Sequence, residues 1–501
     1  MKKYIVFLFI LILFISSCST KRPSNEVWND IHAPLNENEI TKKISVDKLH
    51  KDIDCFMEVL EEVHVNPYLN IQKDKYYSEV RKLKLSIDKP LTRKEFYQVF
   101  TPVVLMLKDS HTNTHFPQEI FDHYKKEGGK FLPIDITVDE NKKVFVKKDY
   151  SLNAVLPGTE IVSINDIKSE FIVNKLLQYE KGIAETANMK RIQGRFGDML
   201  WQVYDFEGPF KLKLENEDII VEGMALDQIE HRKKAGDTQN TGHESIEYKK
   251  LDEHIGLLKV QSFWIGENQF NEKIKDCFTQ IKSDSVKSLI IDVRDNQGGS
   301  EINGNELLQY MTDKSFNMYS LFLRKKSKRY CDRFREDYKW WARWFMTIRT
   351  HTWFDENAKI VFSSYVNTPY GEVDSLAFPL IQPRDNPLRF KGQLFVLMNH
   401  YSYSATVGFL GAVKDYQIAP IIGTESGESP NGFGEAYYFE LPNSRLLCRS
   451  STTFMLRPNG DPTMTTGILP DYKIEQKQED TEKGVDTALK FCINLIKNND
   501  Y

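Results

Sequence analysis

Two stretches in the second half of the chain do most to limit what it can fold into. Leu289-Ile-Ile-Asp292-Val293 runs directly into Arg294-Asp295-Asn296-Gln297-Gly298-Gly299-Ser300, and Leu394-Phe-Val-Leu-Met398 runs into Asn399-His400-Tyr401-Ser402-Tyr403-Ser404-Ala405. A short apolar run closed by turn residues reads as a buried strand. Two further strands are expected at Ile255–Val260 and Ile418–Ile422, with helices at Glu267–Lys282 and Ala405–Lys414. Strand and helix alternate, so residues 248–475 are expected to form an α/β domain with a long insertion at 312–388. That insertion carries Arg324-Lys-Lys-Ser-Lys-Arg329 and Lys339-Trp-Trp-Ala-Arg-Trp-Phe345. Aromatic residues at helical spacing read mostly as core.

Both turns have a bland reading and a chemical one. The Gly298-Gly299 pair lets backbone amides approach a ligand oxygen, but a Gly-Gly turn is more often only a turn. Neither GxGxxG nor GxxxxGK[ST] occurs, which removes a nucleotide-binding loop. Ser404 stands where a helix begins, near unpaired amides and the positive end of the helix dipole, which favour a developing alkoxide. Serine is also an ordinary helix cap.

Taken together, the two turns resemble the tail-specific (C-terminal processing) protease family, whose members include the tricorn core protease and the retinoid-binding repeats of photoreceptors. The first turn is similar to the family's Arg-Asn-Asn-Pro-Gly-Gly. The second is similar to Ser-Ala-Ser-Glu, continued here by Lys414-Asp415-Tyr416-Gln417, Ile421-Ile422-Gly423 and the closing Gly467-Ile468-Leu469-Pro470-Asp471. The resemblance extends over about 45–475. It implies an α+β multidomain protein: an N-terminal helical domain, a PDZ-like β domain and an α/β crotonase-like (ClpP/crotonase) catalytic core. The spacing to Asp415-Tyr416 implies Ser404, rather than Ser402, as nucleophile. Backbone amides of Gly298 or Gly299 and of Ala405 would form the oxyanion hole.

A serine hydroxyl needs a base to take its proton. The lysine of the tail-specific branch falls on Ser429 in this chain. Tricorn-like members use a histidine in an Asp-Ser-His or Asp-Gly-His stretch. Asp109-Ser110-His111-Thr112 matches it and implies His111 as base, with Ser110 a candidate to orient the ring. The glutamate of tricorn-like members falls on Met464. Asp461 could substitute, or Ser404 and His111 could act as a dyad helped by Ser110. His115 and His400 read as bland, with His400 the better placed of the two to line a cleft.

The first half fits this order. Leu49, Ile53, Met57, Leu60 and Val63 lie three and four apart, as one buried helix face requires, and Thr92-Arg-Lys-Glu95 reads as a capping box; a helical domain is expected over 40–125. Residues 126–225 read as short strands of the PDZ-like domain, around Leu132–Val138, Val144–Val146, Leu156–Asn165, Phe210–Leu214 and Ile219–Val221. The carboxylate-binding loop of a PDZ domain has no counterpart unless Gly129-Lys130-Phe131-Leu132 serves. Residues 226–247 are polar and read as a linker, and 476–501 as a C-terminal helix.

Lys2-Lys3 precede an apolar run from Tyr4 to Ile15, then Ser16-Ser17-Cys18. The run is too short for a membrane span, which takes about 20 residues, and suits a signal peptide. Small residues before a cysteine resemble the lipobox of bacterial lipoproteins. Residues 1–18 are therefore expected to be a signal, Cys18 the lipidated position and 19–39 a tether, placing the protein on the bacterial cell envelope. The 67 basic and 71 acidic residues of the 501 give a net charge of −4, which argues against a nucleic-acid partner. Cys55, Cys277, Cys331, Cys448 and Cys492 are scattered without a CxxC pair, so neither a disulfide framework nor a zinc site is expected. No metal or cofactor is called for. Two functions remain: a serine peptidase acting on polypeptides, and a non-catalytic binding lipoprotein that keeps the peptidase fold.

Overall fold

The computed structural model describes residues 35–182, 185–236, 245–336, 368–377, 379–476, 480 and 483–499. The expected signal, Cys18 and most of the tether lie outside these residues, as does Lys339–Phe345. The chain divides into two compact units. Asn25–Gly242 and Ala436–Ser451 form one, and His243–Glu435 with Thr452–Tyr501 belong to the other.

In the second unit a six-stranded sheet runs in the order Tyr472–Lys473, Ile421–Gly423, Gln393–Met398, Ser288–Asp292, Ile255–Val260, Ile246–Lys250. Every pairing is parallel except that of the edge strand Ile246–Lys250. A parallel sheet is stable when helices cover both faces, which is why its strands read as continuous apolar runs. One face presents Leu258, Val260, Leu289, Ile291, Val396 and Met398, packed with side chains of helices Glu267–Asp284, Glu301–Met311 and Ala405–Asp415. The other presents Leu257, Ile290, Phe395 and Leu397, covered by Cys492 and Ile496 of the C-terminal helix Thr487–Asn499. Part of the expected insertion forms strands Leu321–Lys325 and Val373–Ala377 and the helix Lys328–Glu336.

The first unit combines helices with an antiparallel sheet on one core. Leu49, Ile53, Met57, Leu60 and Val63 are all buried along helix Val46–Val63. Helix Arg93–Leu105 begins with a complete capping box between Thr92 and Glu95. Six strands, Ile134–Val138, Val144–Asp149, Glu160–Ile164, Ile167–Lys168, Phe210–Leu214 and Asp218–Val221, form the sheet. Leu60, Phe100, Val144, Ile161 and Leu212 belong to the same apolar cluster, joined by Phe439, Leu441, Leu446 and Cys448 from late in the chain. Within the expected linker, Leu226–Gly236 forms a helix. Its buried Ile229 packs with Trp201 and Phe131, and half-buried Leu226 joins them, a sparse apolar face that the polar composition hides.

Candidate active site

In the second unit the two strand ends are tied to each other before any catalytic atom is considered. Asn399 and Asp295 exchange bonds, the Asp295 N–H donating to Asn399 Oδ1 at 3.0 Å and Asn399 Nδ2 to Asp295 Oδ1 at 2.9 Å. The Tyr403 N–H donates to the Asn296 carbonyl at 3.0 Å. Ser402 is buried and its hydroxyl donates to the Val293 carbonyl at 3.0 Å, so it serves the turn. Ser404, two residues on, is exposed.

Ser404 holds φ 52° and ψ −125° at the N-cap of helix Ala405–Asp415. This left-handed backbone costs a non-glycine residue on the order of 1–3 kcal/mol and persists only where the surroundings enforce it. Two contacts enforce it here. The Ser404 N–H donates to Glu428 Oε2 at 3.0 Å. Gly298, with φ +95°, lies so close that an added Cβ would stand 2.8 Å from Ser404 Cβ and 2.8 Å from the Tyr403 carbonyl. Gly299, with φ +137°, is pressed against the Phe263 backbone, 2.1 Å from where its Cβ would be.

The amides around Ser404 are not equivalent. The Gly298 N–H donates to Asn296 Oδ1 at 2.9 Å, and the Gly298 carbonyl accepts from the Phe263 N–H at 2.9 Å. Among the described residues, the N–H groups of Gly299 and Ala405 make no hydrogen bond. The loop after Gly423 is built against this turn. Ser426 exchanges bonds with Ile468, and the Gly427 N–H donates to the Ser402 carbonyl at 3.1 Å. Ser429 Oγ, at the lysine position of the tail-specific branch, donates to the Met464 carbonyl at 3.0 Å. Asp461 Oδ1 accepts from the hydroxyl and the N–H of Thr463, bonds that hold its carboxyl low and tie that oxygen into a local turn.

His111 lies in the first unit, on a loop fastened by buried side chains. Asn113–Thr114 pairs antiparallel with Cys448 and Arg449, which brings the loop onto the late strand Leu447–Leu456. Asp109 is the hub. Its Oδ1 accepts from the His111 N–H at 2.8 Å, and its Oδ2 from His64 Nε2 at 3.0 Å and Ser451 Oγ at 2.6 Å. His64 Nδ1 accepts from the Asn66 N–H at 3.0 Å, which assigns the proton to Nε2. Burial would raise the Asp109 carboxyl, but the hydrogen bond from His64, then His111 and the Ser451 hydroxyl, outweigh it and hold it well below the usual range.

The Ser110 carbonyl accepts from Arg449 Nη2 at 2.7 Å and Asn113 Nδ2 at 2.9 Å. Ser110 Oγ lies 3.1 Å from His111 Nδ1. His115 is buried and its ring is pushed well below the ordinary value, by burial first and then by Lys181 and Arg449. His400 Nε2 meets Thr424 Oγ1 at 3.3 Å in the second unit.

The candidate residues thus form two groups, Ser404 with Gly298, Gly299 and Ala405 in one unit and His111 with Ser110 in the other. His64, Asp109, Ser451 and Glu428 were not singled out from the sequence. Asp109 alone had a signal, its place in Asp109-Ser110-His111. Among the described residues no cluster of three or more His, Cys, Asp or Glu side chains could hold a metal ion, and no helix is long and apolar enough to cross a membrane.

Comparison with known proteins bears on the second unit first. The family model described as Peptidase family S41 matches residues 254–474. The "Tail-specific protease" of Haemophilus influenzae is 22% identical over 242 residues, 48% of this chain and 27% of that protein. The chain therefore matches about a quarter of that relative's length. Among solved structures, mature CPAF complexed with lactacystin superposes with a TM-score of 0.61 at 14% identity, covering 91% of this chain and 99% of that one. Mature CPAF alone gives a TM-score of 0.60 at 14% identity, with the same coverage. At this identity the likeness is one of fold.

Proposed function

We propose that this chain, whose residues 254–474 belong to peptidase family S41, is a serine peptidase of the tail-specific kind with Ser404 as its nucleophile. The observation that carries the reading is the Ser404 turn. Exposed Ser404 stands at a helix N-terminus on a positive-φ backbone, and among the described residues the amides of Ala405, next in the chain, and of Gly299, next to the Gly298 that packs on Ser404, make no hydrogen bond. Such amides suit the oxyanion of a tetrahedral intermediate, because donors already in place need no rearrangement as charge develops. Gly298 acts through shape, since its own N–H is engaged with Asn296.

His111 takes the Ser404 proton as the carbonyl is attacked and returns it to the leaving amine; water then hydrolyses the acyl-enzyme. With Nδ1 facing Ser110 Oγ, Nε2 is the nitrogen that serves as base. Polypeptides are the substrates. The antiparallel sheet of the first unit is PDZ-like and receives extended segments, and an N-terminal lipid on Cys18 keeps the enzyme at the cell envelope.

A fluorophosphonate probe tests the reading. The parent is expected to label at Ser404, while Ser404→Ala does not and His111→Ala labels at a small fraction of the parent rate. A parent that stays unlabelled while folded overturns it in favour of a non-catalytic binding protein.

A further inference from the structure

Among the described residues, Glu428 is the one carboxylate bonded to the proposed nucleophile's own backbone, and nothing in the scheme above uses it. Its Oε2 accepts from the Ser404 N–H at 3.0 Å. The backbone that carries this side chain is fixed by neighbouring bonds. The Glu428 carbonyl accepts from Ser426 Oγ at 2.9 Å, the Gly427 N–H is fixed on Ser402, and Ser429 is fixed on Met464. Gly427 lies flat against Tyr403, where an added Cβ would be 2.1 Å from the ring. Position 464, where tricorn-like members carry a glutamate, holds a methionine whose carbonyl anchors the residue after Glu428.

We infer that Glu428 is the positioning residue that supplies the acidic charge of this site: it holds Ser404 in its left-handed conformation and stabilises the cation formed when Ser404 gives up its proton. The inference rests on Ser404 and His111 acting as proposed above. Covalent geometry keeps a serine Oγ within about 4 Å of its own nitrogen, so the carboxylate lies within about 7 Å of the reacting hydroxyl. An imidazole bonded to that hydroxyl becomes an imidazolium near a fixed negative charge. At that separation the attraction is sizeable at the dielectric of a protein surface. The proton moves from Ser404 Oγ to Nε2 and later to the leaving amine, and Glu428 keeps its charge throughout. Among the described residues, Tyr319 in this unit senses it: its hydroxyl is pushed well up by burial and then by Glu301 and Glu428.

The test is the pH profile of fluorophosphonate labelling for the parent, Glu428→Gln and Glu428→Ala. Glutamine keeps an acceptor for the Ser404 N–H and removes only the charge. Glu428→Gln is expected to label about 10-fold more slowly, with the acid limb of its profile at lower pH, because an imidazolium without its counter-charge loses its proton more readily. Its thermal midpoint should stay with the parent's. Glu428→Ala, which loses the bond as well, is expected to be slower still. Glu428→Gln labelling at the parent rate with an unmoved profile overturns the inference and leaves a purely structural bond. Faster labelling also overturns it, since the charge would then oppose the reaction. A parent that does not label removes the catalytic reading itself, and this inference with it.

Discussion

The proposed nucleophile and the proposed base are held by different means. In the second unit Ser404 is placed chiefly by backbone, with one carboxylate, Glu428, on its N–H: a parallel strand ends, two glycines clear the space, and a helix starts one residue later. In the first unit His111 is placed by side chains, through a buried carboxylate that gathers a histidine, a serine and the His111 amide. Backbone devices tolerate no added atoms and are insensitive to pH. A buried ionic hub tolerates small changes of shape but depends on its charge. The two units are therefore expected to fail differently.

Ser404→Ala should have the largest effect, a fall in peptide hydrolysis of about 10⁴-fold or more with an unchanged thermal midpoint. A residual rate within tenfold of the parent would remove Ser404 from the nucleophile's place.

Next come three changes that set stability against activity. Asp109→Ala leaves His64 and Ser451 without their buried acceptor and should destabilise the first unit by about 3–5 kcal/mol in denaturant unfolding. Gly299→Ala drives a methyl into the Phe263 backbone and should prevent correct folding of the second unit. Gly298→Ala meets Ser404 and the Tyr403 carbonyl instead, so it should cost about 1–3 kcal/mol and at least about 100-fold in labelling. Equal losses of activity in the two glycine variants, with equal stability, would erase the distinction between clearance and support.

The hub also predicts a pH dependence. The folded Asp109 carboxyl lies below its unfolded value of about 4, so its contribution is complete above about pH 4 and is lost as pH falls further. The gap in unfolding free energy between the parent and Asp109→Asn should be widest above pH 4 and narrow toward about pH 2. A constant gap would show that the charge of Asp109 does not hold the loop. Smallest of all, Ser110→Ala should slow labelling by about 10-fold or less, because it removes a hydroxyl from Nδ1 and leaves the loop's own anchors in place.

How much of this could be read in advance follows from the same division. The strand runs at 289–293 and 394–398, the Gly-Gly pair and the capping box at Thr92 are local patterns, and each is found where its spacing put it. The helix Leu226–Gly236 was hidden because one buried isoleucine among charged residues leaves little periodic signal. His64, Ser451 and Glu428 had no sequence mark. Ser451 meets Asp109 from 342 positions away, and Glu428 meets Ser404 from 24.

By itself the sequence determined the parallel strands of the second unit, the turn that exposes Ser404 and the motif around His111, because adjacent residues carry each of them. Only the tertiary structure decided what supports those residues. It showed that the Gly298 amide is already engaged while that of Gly299 is not, that Ser402 serves the turn, and that Asp109 and Glu428 hold the two loops. Such contacts join segments far apart in the chain, and a single sequence records no distance between them.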